Sequence, residues 1–156
     1  MRKQTVYPLL IASIVGMSGL ISATSASAAS DCVVGPGVTQ TATTVTGSGE
    51  NDTIDCTSAD PGKTINGNGG NDTITGTSFD DTINGGDGND TLTGGVGNDV
   101  LSGDNGMDTL NGSAGDDRLN GPDNDSAVDT LNGGDGTDSC GLVDPLFPDV
   151  RSSCES

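Results

Sequence analysis

Within residues 47–141 of this 156-residue chain, aspartate stands two residues before an isoleucine or leucine, or before Cys140, at nine places. Most of these aspartates are nine residues apart, and they are Asp52, Asp72, Asp81, Asp90, Asp99, Asp108, Asp117, Asp129 and Asp138. Hard cations such as Ca²⁺ take carboxylate and backbone carbonyl oxygens as ligands, and glycines let the backbone approach closely. Regular carboxylates among regular glycines therefore predict bound divalent cations.

The repeating unit has nine residues and the pattern G-G-x-G-x-D-x-U-x, in which U is a large aliphatic residue. Residues 85–93 and 94–102 are consecutive copies, and residues 133–138 match the first six positions in full. Three other units lose only the second glycine, which is replaced by Asn68, Asp104 or Ser113. The turn at 76–81 keeps only its first glycine and has Phe79 at the fourth position, so we expect it to close by packing, without metal.

Two units differ in length. Residues 56–66 form an 11-residue unit in which Lys63 replaces the aspartate. Residues 121–132 form a 12-residue unit with an insertion from Pro122 to Asp125, which predicts either a bulge or a different mode of calcium binding. Val45 lies nine residues before Ile54, so a degenerate first unit is expected to begin near Val38.

The unit divides into a turn and a short strand. Glycines permit positive φ in the first six residues, whereas x-U-x suits an extended strand with U inward and its flanks outward. Such units stack on their neighbours. One aliphatic side chain per nine residues makes a thin core, and its burial cannot offset the entropy of ordering the backbone. Bound calcium is therefore expected to contribute folding free energy.

These units resemble the RTX, or haemolysin-type calcium-binding, repeat family over about residues 47–141. The resemblance implies an all-β fold, a parallel β-roll (a β-solenoid) in which each coil holds two units and successive strands alternate between two sheets. One sheet would then hold Ile54, Ile74, Leu92, Leu110 and Leu131. The other would hold Ile65, Ile83, Leu101, Leu119 and Cys140.

The resemblance also implies that several Ca²⁺ ions bind between turns one full coil apart. The aspartate that closes each turn would be the side-chain ligand, and backbone carbonyls would supply the rest. The expected metal ligands are Asp52, Asp72, Asp90 and Asp108 on one edge, and Asp81, Asp99, Asp117 and Asp138 on the other. The pairs that fit best are Asp72/Asp90, Asp90/Asp108 and Asp99/Asp117, followed by Asp117/Asp138. Extracellular calcium modules lead us to expect weak affinity, roughly 10⁻⁴–10⁻³ M.

The ends of the chain differ from the repeats. Residues 1–28 combine Arg2 and Lys3, an apolar stretch at 9–21 and small residues at 26–28, which predicts a cleavable secretory signal peptide rather than a membrane anchor. The resembled family is usually exported through an uncleaved C-terminal signal, so this feature is a departure. Residues 29–46 and 142–156 are expected to cap the repeats at 47–141. The second of these caps contains an apolar patch formed by Leu142, Val143, Leu146 and Phe147. As an alternative to capping, this patch could bind a partner.

The four cysteines predict two disulfides, for which three pairings are possible. Their positions favour local pairs, because Cys32 and Cys56 flank the start of the repeats and Cys140 and Cys154 flank the end. We therefore predict Cys32–Cys56 and Cys140–Cys154. A metal-thiolate site is not expected, since the spacings are wrong and the chain has no histidine.

Composition narrows the classes of function. Without Arg2 and Lys3, three basic residues face 23 acidic ones, a net charge of −20 that excludes nucleic acid as a natural partner. Without histidine, Ser-His-Asp and Cys-His catalysis are excluded, and we expect no enzyme. No membrane span is expected in the mature chain. The sequence favours a secreted, extracellular calcium-binding protein with an extracellular or cell-surface partner that the sequence does not identify.

An alternative function uses the outer face of one predicted sheet. The residue before each aliphatic position there is always threonine, at Thr53, Thr73, Thr91, Thr109 and Thr130. Such a flat ladder resembles the faces of β-solenoid ice-binding or adhesive proteins. Threonine also suits any exposed strand position, and this simpler interpretation is favoured. Asn51, Asn71 and Asn89 begin glycosylation sequons, which we interpret as a by-product of the repeat.

Overall fold

The computed structural model of the protein describes residues 31–122, 127–141 and 149–155. Within these ranges the chain forms strands and turns, and no helix long and apolar enough to cross a membrane occurs in them. In chain order the strands are β1 (Val33–Val34), β2 (Thr39–Gln40), β3 (Thr44–Thr46), β4 (Thr53–Asp55), β5 (Thr64–Gly69), β6 (Thr73–Thr75), β7 (Thr82–Asp87), β8 (Thr91–Val96), β9 (Val100–Asn105), β10 (Thr109–Ala114), β11 (Arg118–Asn120), β12 (Thr130–Asp135), β13 (Ser139–Cys140) and β14 (Val150–Ser152).

The strands form two seven-stranded sheets, and from β3 onward successive strands alternate between them. Sheet one has the order β1-β4-β6-β8-β10-β12-β14, and sheet two has the order β2-β3-β5-β7-β9-β11-β13. Only the first pair of each sheet is antiparallel, and the pairs that follow are parallel. The predicted all-β parallel β-roll is therefore confirmed.

Equivalent residues of successive coils pair directly across each sheet. The inward column of sheet one is Ile54, Ile74, Leu92, Leu110 and Leu131. The inward column of sheet two is Val45, Ile65, Ile83, Leu101, Leu119 and Cys140. Both predicted columns are confirmed, with Val45 added at the start. Their valine, isoleucine and leucine side chains are at most 1% exposed, so each strand from β3 to β12 contributes one aliphatic side chain to a narrow core.

Disulfides lie near both ends of the roll. Cys32–Cys56 joins the segment before β1 to the residue after β4, and Cys140–Cys154 joins β13 to the tail beyond β14. Both predicted pairings are confirmed. Residues 1–28, the inserted Asp123 to Asp125 and the apolar patch at 142–147 lie outside the described residues.

Candidate metal centre

The residues that end the turns, all acidic except Lys63, stack in two columns, one at each edge of the roll. The first column is Asp52, Asp72, Asp90, Asp108, Asp129 and Asp149. The second is Lys63, Asp81, Asp99, Asp117, Asp138 and Glu155. The aspartates predicted to share an edge do lie in the same column. Those from Asp52 to Asp138 are at most 5% exposed, although carboxylates normally lie on the surface.

One oxygen of each column carboxylate after Asp52 holds the preceding coil. The backbone N–H of Asp72 donates to Oδ1 of Asp90 at 2.7 Å, and that of Asp99 donates to Oδ1 of Asp117 at 2.8 Å. The same bond recurs along both columns at steps of 17 to 21 residues. Oδ1 therefore has a structural role.

The second oxygen is buried and unsatisfied in a specific set of these residues. Within the described part of the chain, no hydrogen bond reaches Oδ2 of Asp72, Asp90, Asp99, Asp117 or Asp138. Each such oxygen lies over the first glycine of its own turn, where a β-carbon would otherwise be. A carbonyl oxygen one coil further on faces the same point; for Gly94 it is that of Gly112. Buried anionic oxygens beside carbonyls are an arrangement that a bound cation would stabilise.

Two turns satisfy Oδ2 internally. Asp52 accepts hydrogen bonds at Oδ2 from the backbone N–H and hydroxyl of Ser48, at 2.6 and 3.0 Å. Asp81 accepts the same two bonds from Thr77, at 2.6 and 3.0 Å. The sequence suggested that the turn at 76–81 closes by packing, whereas the structure closes it by hydrogen bonds. Phe79 is 45% exposed and contributes little packing.

The fourth position of the turn separates the two classes. Glycine with positive φ occupies it in the turns that end at Asp72, Asp90, Asp99, Asp108, Asp117 and Asp138; these glycines are Gly70, Gly88, Gly97, Gly106, Gly115 and Gly136. Glu50 and Phe79 occupy it in the hydroxyl-closed turns. A β-carbon on Gly88 would collide with the carbonyl of Gly70, so glycine is required there. The second glycine is replaceable, because Asn68, Asp104 and Ser113 adopt the same left-handed conformation, with φ of 77°, 67° and 86°.

Burial changes the acidity of the columns. Loss of solvation raises the pKa of Asp72, Asp90 and Asp117 above its ordinary value, and raises the pKa of Asp99 to about 7. Donated N–H groups act in the opposite direction, and neighbouring carboxylates add to the rise. These groups therefore hold their negative charge at a cost unless a cation lies beside them.

Four residues of the columns were not among the predicted ligands: Lys63, Asp129, Asp149 and Glu155. Lys63 is buried, and its Nζ donates to the carbonyl of Ala42 at 2.6 Å, so an ammonium stands where the repeat has an acid. Asp149 and Glu155 continue the two columns beyond the last full repeat. The separation of 20 residues between Asp129 and Asp149, which equals that between Asp52 and Asp72, was the available signal for Asp149.

The residue before each aspartate forms a second, outer ladder. Oδ1 of Asn71 accepts the backbone N–H of Asn89 at 2.9 Å, and Oδ1 of Asn98 accepts that of Asp116 at 2.9 Å. Here the later coil donates, whereas in the inner columns the earlier coil donates. Asn51, Asn71 and Asn89, whose sequons we interpreted as a by-product of the repeat, therefore join successive coils.

The donor set fits calcium in its chemistry. Carboxylate and carbonyl oxygens line the columns, as a hard cation requires. Among the described residues no three His, Cys, Asp or Glu side chains converge on one point. The carbonyl oxygens that face the first glycines are further oxygens available at these edges.

The two parallel sheets and the two columns of turn residues define a parallel β-solenoid whose turns carry stacked, buried carboxylates. The family model of the RTX calcium-binding nonapeptide repeat, in its four-copy form, matches residues 66–101 and again residues 102–140. Residues 66–140 are thus RTX calcium-binding nonapeptide repeats, as the sequence pattern predicted. Searches of curated proteins and of solved structures gave no significant match.

Proposed function

We propose that the protein is a secreted calcium-binding protein whose β-roll folds when Ca²⁺ ions bind between stacked turns. The observation that carries this proposal is the row of buried Oδ2 atoms that accept no hydrogen bond among the described residues, at Asp72, Asp90, Asp99, Asp117 and Asp138. An uncompensated buried charge is strongly destabilising, and a cation between coils would remove that cost. Ion binding would then be coupled to the packing of one coil on the next.

The proposed ligands are the carboxylates of Asp72, Asp90, Asp99, Asp108, Asp117 and Asp138, together with the carbonyl oxygens of the first turn position one coil further on. Asp52 and Asp81 were also predicted as ligands from the sequence. We leave them out of the proposed set, because Oδ2 of each accepts a hydroxyl of its own turn, from Ser48 and Thr77 respectively. Bound calcium would supply charge neutralisation and a link between coils, and no catalytic role is assigned to it.

Far-UV circular dichroism of the disulfide-bonded protein tests the proposal. We expect a cooperative change from coil to β-sheet during a calcium titration, and no such change with magnesium, which demands stricter octahedral geometry. A spectrum already rich in β-sheet in chelator would contradict folding on calcium binding. Disorder that persists at about 1 mM calcium and above would reject the proposal as a whole.

A matched pair of variants locates the ions. Asp99→Asn removes a negative charge from the inner column, whereas Asp80→Asn removes one from the exposed outer ladder and keeps its Oδ1 acceptor. We expect Asp99→Asn to raise the calcium concentration at the folding midpoint by about tenfold or more, by analogy with the effects of altered metal-site residues. Asp80→Asn is expected to leave the midpoint nearly unchanged. Equal shifts in both variants would indicate a general charge effect instead of ligation.

Export is proposed from the sequence of residues 1–28 and is supported by the two disulfides, which persist in oxidising compartments. The exported protein is expected to begin at Ala29, and its intact mass measures this directly. A mass that includes Arg2 and Lys3 would show that the segment is not removed.

A second candidate function rests on the outer face of sheet one. Thr53, Thr73, Thr91, Thr109 and Thr130 pair in register and are all exposed, at the interstrand spacing of about 4.8 Å. Such a regular hydroxyl array suits ice or another ordered surface. Thermal hysteresis of the calcium-loaded protein tests it, with Thr91→Lys as the disrupting variant and Thr82→Lys on sheet two as its control. Activity no greater than that of an unrelated protein would reject the ice-binding function.

A further inference from the structure

The tail beyond the last repeat forms an incomplete coil on the end of the roll. β14 pairs with β12 in parallel register, with Val150 beside Thr130. Oδ1 of Asp149 accepts the backbone N–H of Asp129 at 3.0 Å. The family model ends at residue 140, so this coil lies outside the matched repeats.

Glu155 continues the second column from an unusual position. Its backbone N–H donates to the carbonyl of Asp138 at 2.7 Å, and Glu155 pairs with Ser139, which is the position after the column aspartate. Its Oε2 nevertheless accepts the N–H of Asp138 at 2.6 Å. A glutamate, one methylene longer than an aspartate, thus reaches back by one position and replaces the missing acid.

The tail also supplies a carbonyl at the point where the interior turns have one. In the interior, Oδ2 of Asp99 and the carbonyl of Gly112 both face the position of a β-carbon on Gly94. At the end, Oδ2 of Asp138 and the carbonyl of Ser153 face the same point on Gly133. Asp138 is 1% exposed, and its Oδ2 accepts no hydrogen bond within the described residues.

We propose that Asp138, the carbonyl oxygen of Ser153 and Glu155 form a calcium site, and that the disulfide Cys140–Cys154 holds the tail that completes it. Cys154 lies between the two tail residues that donate oxygens, and its partner belongs to β13 of the roll. Cleavage of this bond leaves the tail held by backbone pairing and hydrogen bonds alone, and we expect its two oxygens then to be lost from the site. The inference rests on the proposed calcium binding and adds a site that exists only in the oxidised protein.

Equilibrium dialysis that counts bound Ca²⁺ ions per chain at saturation tests the site. Glu155→Gln and the double variant Cys140→Ser/Cys154→Ser are each expected to bind one ion fewer than the wild-type protein. The chain's other glutamate provides the matched control, and Glu50→Gln is expected to bind the wild-type number. Circular dichroism in calcium checks that each variant retains the rest of the roll.

The outcomes separate this inference from the proposed function. A wild-type protein that binds calcium, with Glu155→Gln binding the same number of ions, overturns the tail site and leaves the proposed function in place. A wild-type protein that binds no calcium overturns both. Loss of an ion from Glu155→Gln but not from the cysteine variant overturns the role of the disulfide.

A measurement on the wild-type protein covers the case in which these variants fail to fold. With ¹³C-labelled glutamate, isotope-edited infrared spectra report only the Glu50 and Glu155 carboxylates. Exchange of Ca²⁺ for Sr²⁺ shifts the stretching band of a coordinated carboxylate but not of one that is only hydrogen-bonded. We expect one shifted glutamate band, which persists in Glu50→Gln. No shifted band, or its loss in that variant, overturns the site.

Discussion

At the residue scale, the two carboxylate oxygens of a column aspartate have separate tasks. From Asp72 onward, Oδ1 joins its turn to the previous coil. Oδ2 meets a hydroxyl within the turn at Asp52 and Asp81, and is buried without a hydrogen bond at Asp99. An asparagine would keep the first task and lose the charge needed for the second. Conservation of charge at these positions is thus expected only where Oδ2 lacks an internal donor.

The raised pKa values predict opposite pH dependences with and without calcium. The pKa of Asp99 is about 7 in the folded, metal-free chain, and the pKa values of Asp72, Asp90 and Asp117 are also raised. The folded state then binds more protons than the unfolded state, so its metal-free stability falls as pH rises through about 7. Circular dichroism in chelator is expected to show more β-sheet at about pH 5 than at about pH 8.

In the presence of calcium the pH dependence of folding is expected to reverse, because protons compete with the ion for the same carboxylate oxygens. The calcium midpoint is therefore expected to be lower at about pH 8 than at about pH 5. Binding near neutral pH should release protons, which weakly buffered titrations measure directly. A calcium midpoint independent of pH would contradict ligation by these carboxylates.

The first glycine of each turn gives a prediction with a built-in control. A β-carbon on Gly94 would meet Oδ2 of Asp99 and lie 2.9 Å from the carbonyl of Gly112, whereas one on Gly49 would meet nothing within 4 Å. Gly94→Ala is expected to lower the free energy of unfolding in calcium by about 1–3 kcal/mol through overpacking. Gly49→Ala is expected to be neutral. Chemical denaturation measures both, and equal effects would contradict the close packing of the column.

At the scale of the element, the fourth position determines how a turn closes and how long the preceding strand becomes. Turns with glycine there follow six-residue strands such as β7 and β8, whose pairing continues into the turn. The hydroxyl-closed turns follow the three-residue strands β3 and β6. In the turns with glycine at the fourth position, left-handed backbone at the second and fourth positions reverses the chain direction. In the hydroxyl-closed turns, Ser48 or Thr77 instead donates hydrogen bonds to the aspartate.

Conversion of one turn class into the other follows from this rule. Thr77→Gly/Phe79→Gly gives the turn at 76–81 both missing glycines and frees Oδ2 of Asp81. The double variant is expected to bind one more calcium ion per chain than the wild-type protein, as counted by equilibrium dialysis. Thr77→Gly alone keeps Phe79 at the fourth position and is the control, which should gain no ion. An unchanged count in the double variant would contradict the rule.

At the scale of the whole molecule, the two ends differ in how their coils are held. Several links that need no metal lie between residues 32 and 81: the disulfide Cys32–Cys56, the ammonium of Lys63 on Ala42, and the hydroxyls of Ser48 and Thr77. The C-terminal end has the disulfide Cys140–Cys154. The buried carboxylate oxygens without a hydrogen bond in the described residues belong to Asp72, Asp90, Asp99, Asp117 and Asp138. The roll is therefore expected to form from its N-terminal end as calcium rises.

Hydrogen exchange at calcium concentrations below the folding midpoint measures this polarity. Backbone amides of β3 to β5 are expected to exchange more slowly than those of β8 to β11. Lys63→Met, which keeps the length of the side chain but removes its charge, should reduce that protection. Faster exchange at the N-terminal end than in the centre would contradict the proposed order.

The sequence by itself determined the nine-residue period, and the positions of the cysteines favoured the two local disulfide pairs. The resemblance to the RTX repeat family implied the inward columns from Ile54 to Cys140 and the grouping of the aspartates into edges, because a repeat of fixed length returns equivalent residues to equivalent places. The tertiary structure alone decided which oxygens are satisfied. Ser113 and Thr77 both replace the second glycine, yet Ser113 adopts a left-handed φ of 86° and Thr77 binds Asp81. The roles of Lys63 and Glu155 likewise depend on atoms from coils 17 to 21 residues away, and no local pattern specifies those contacts.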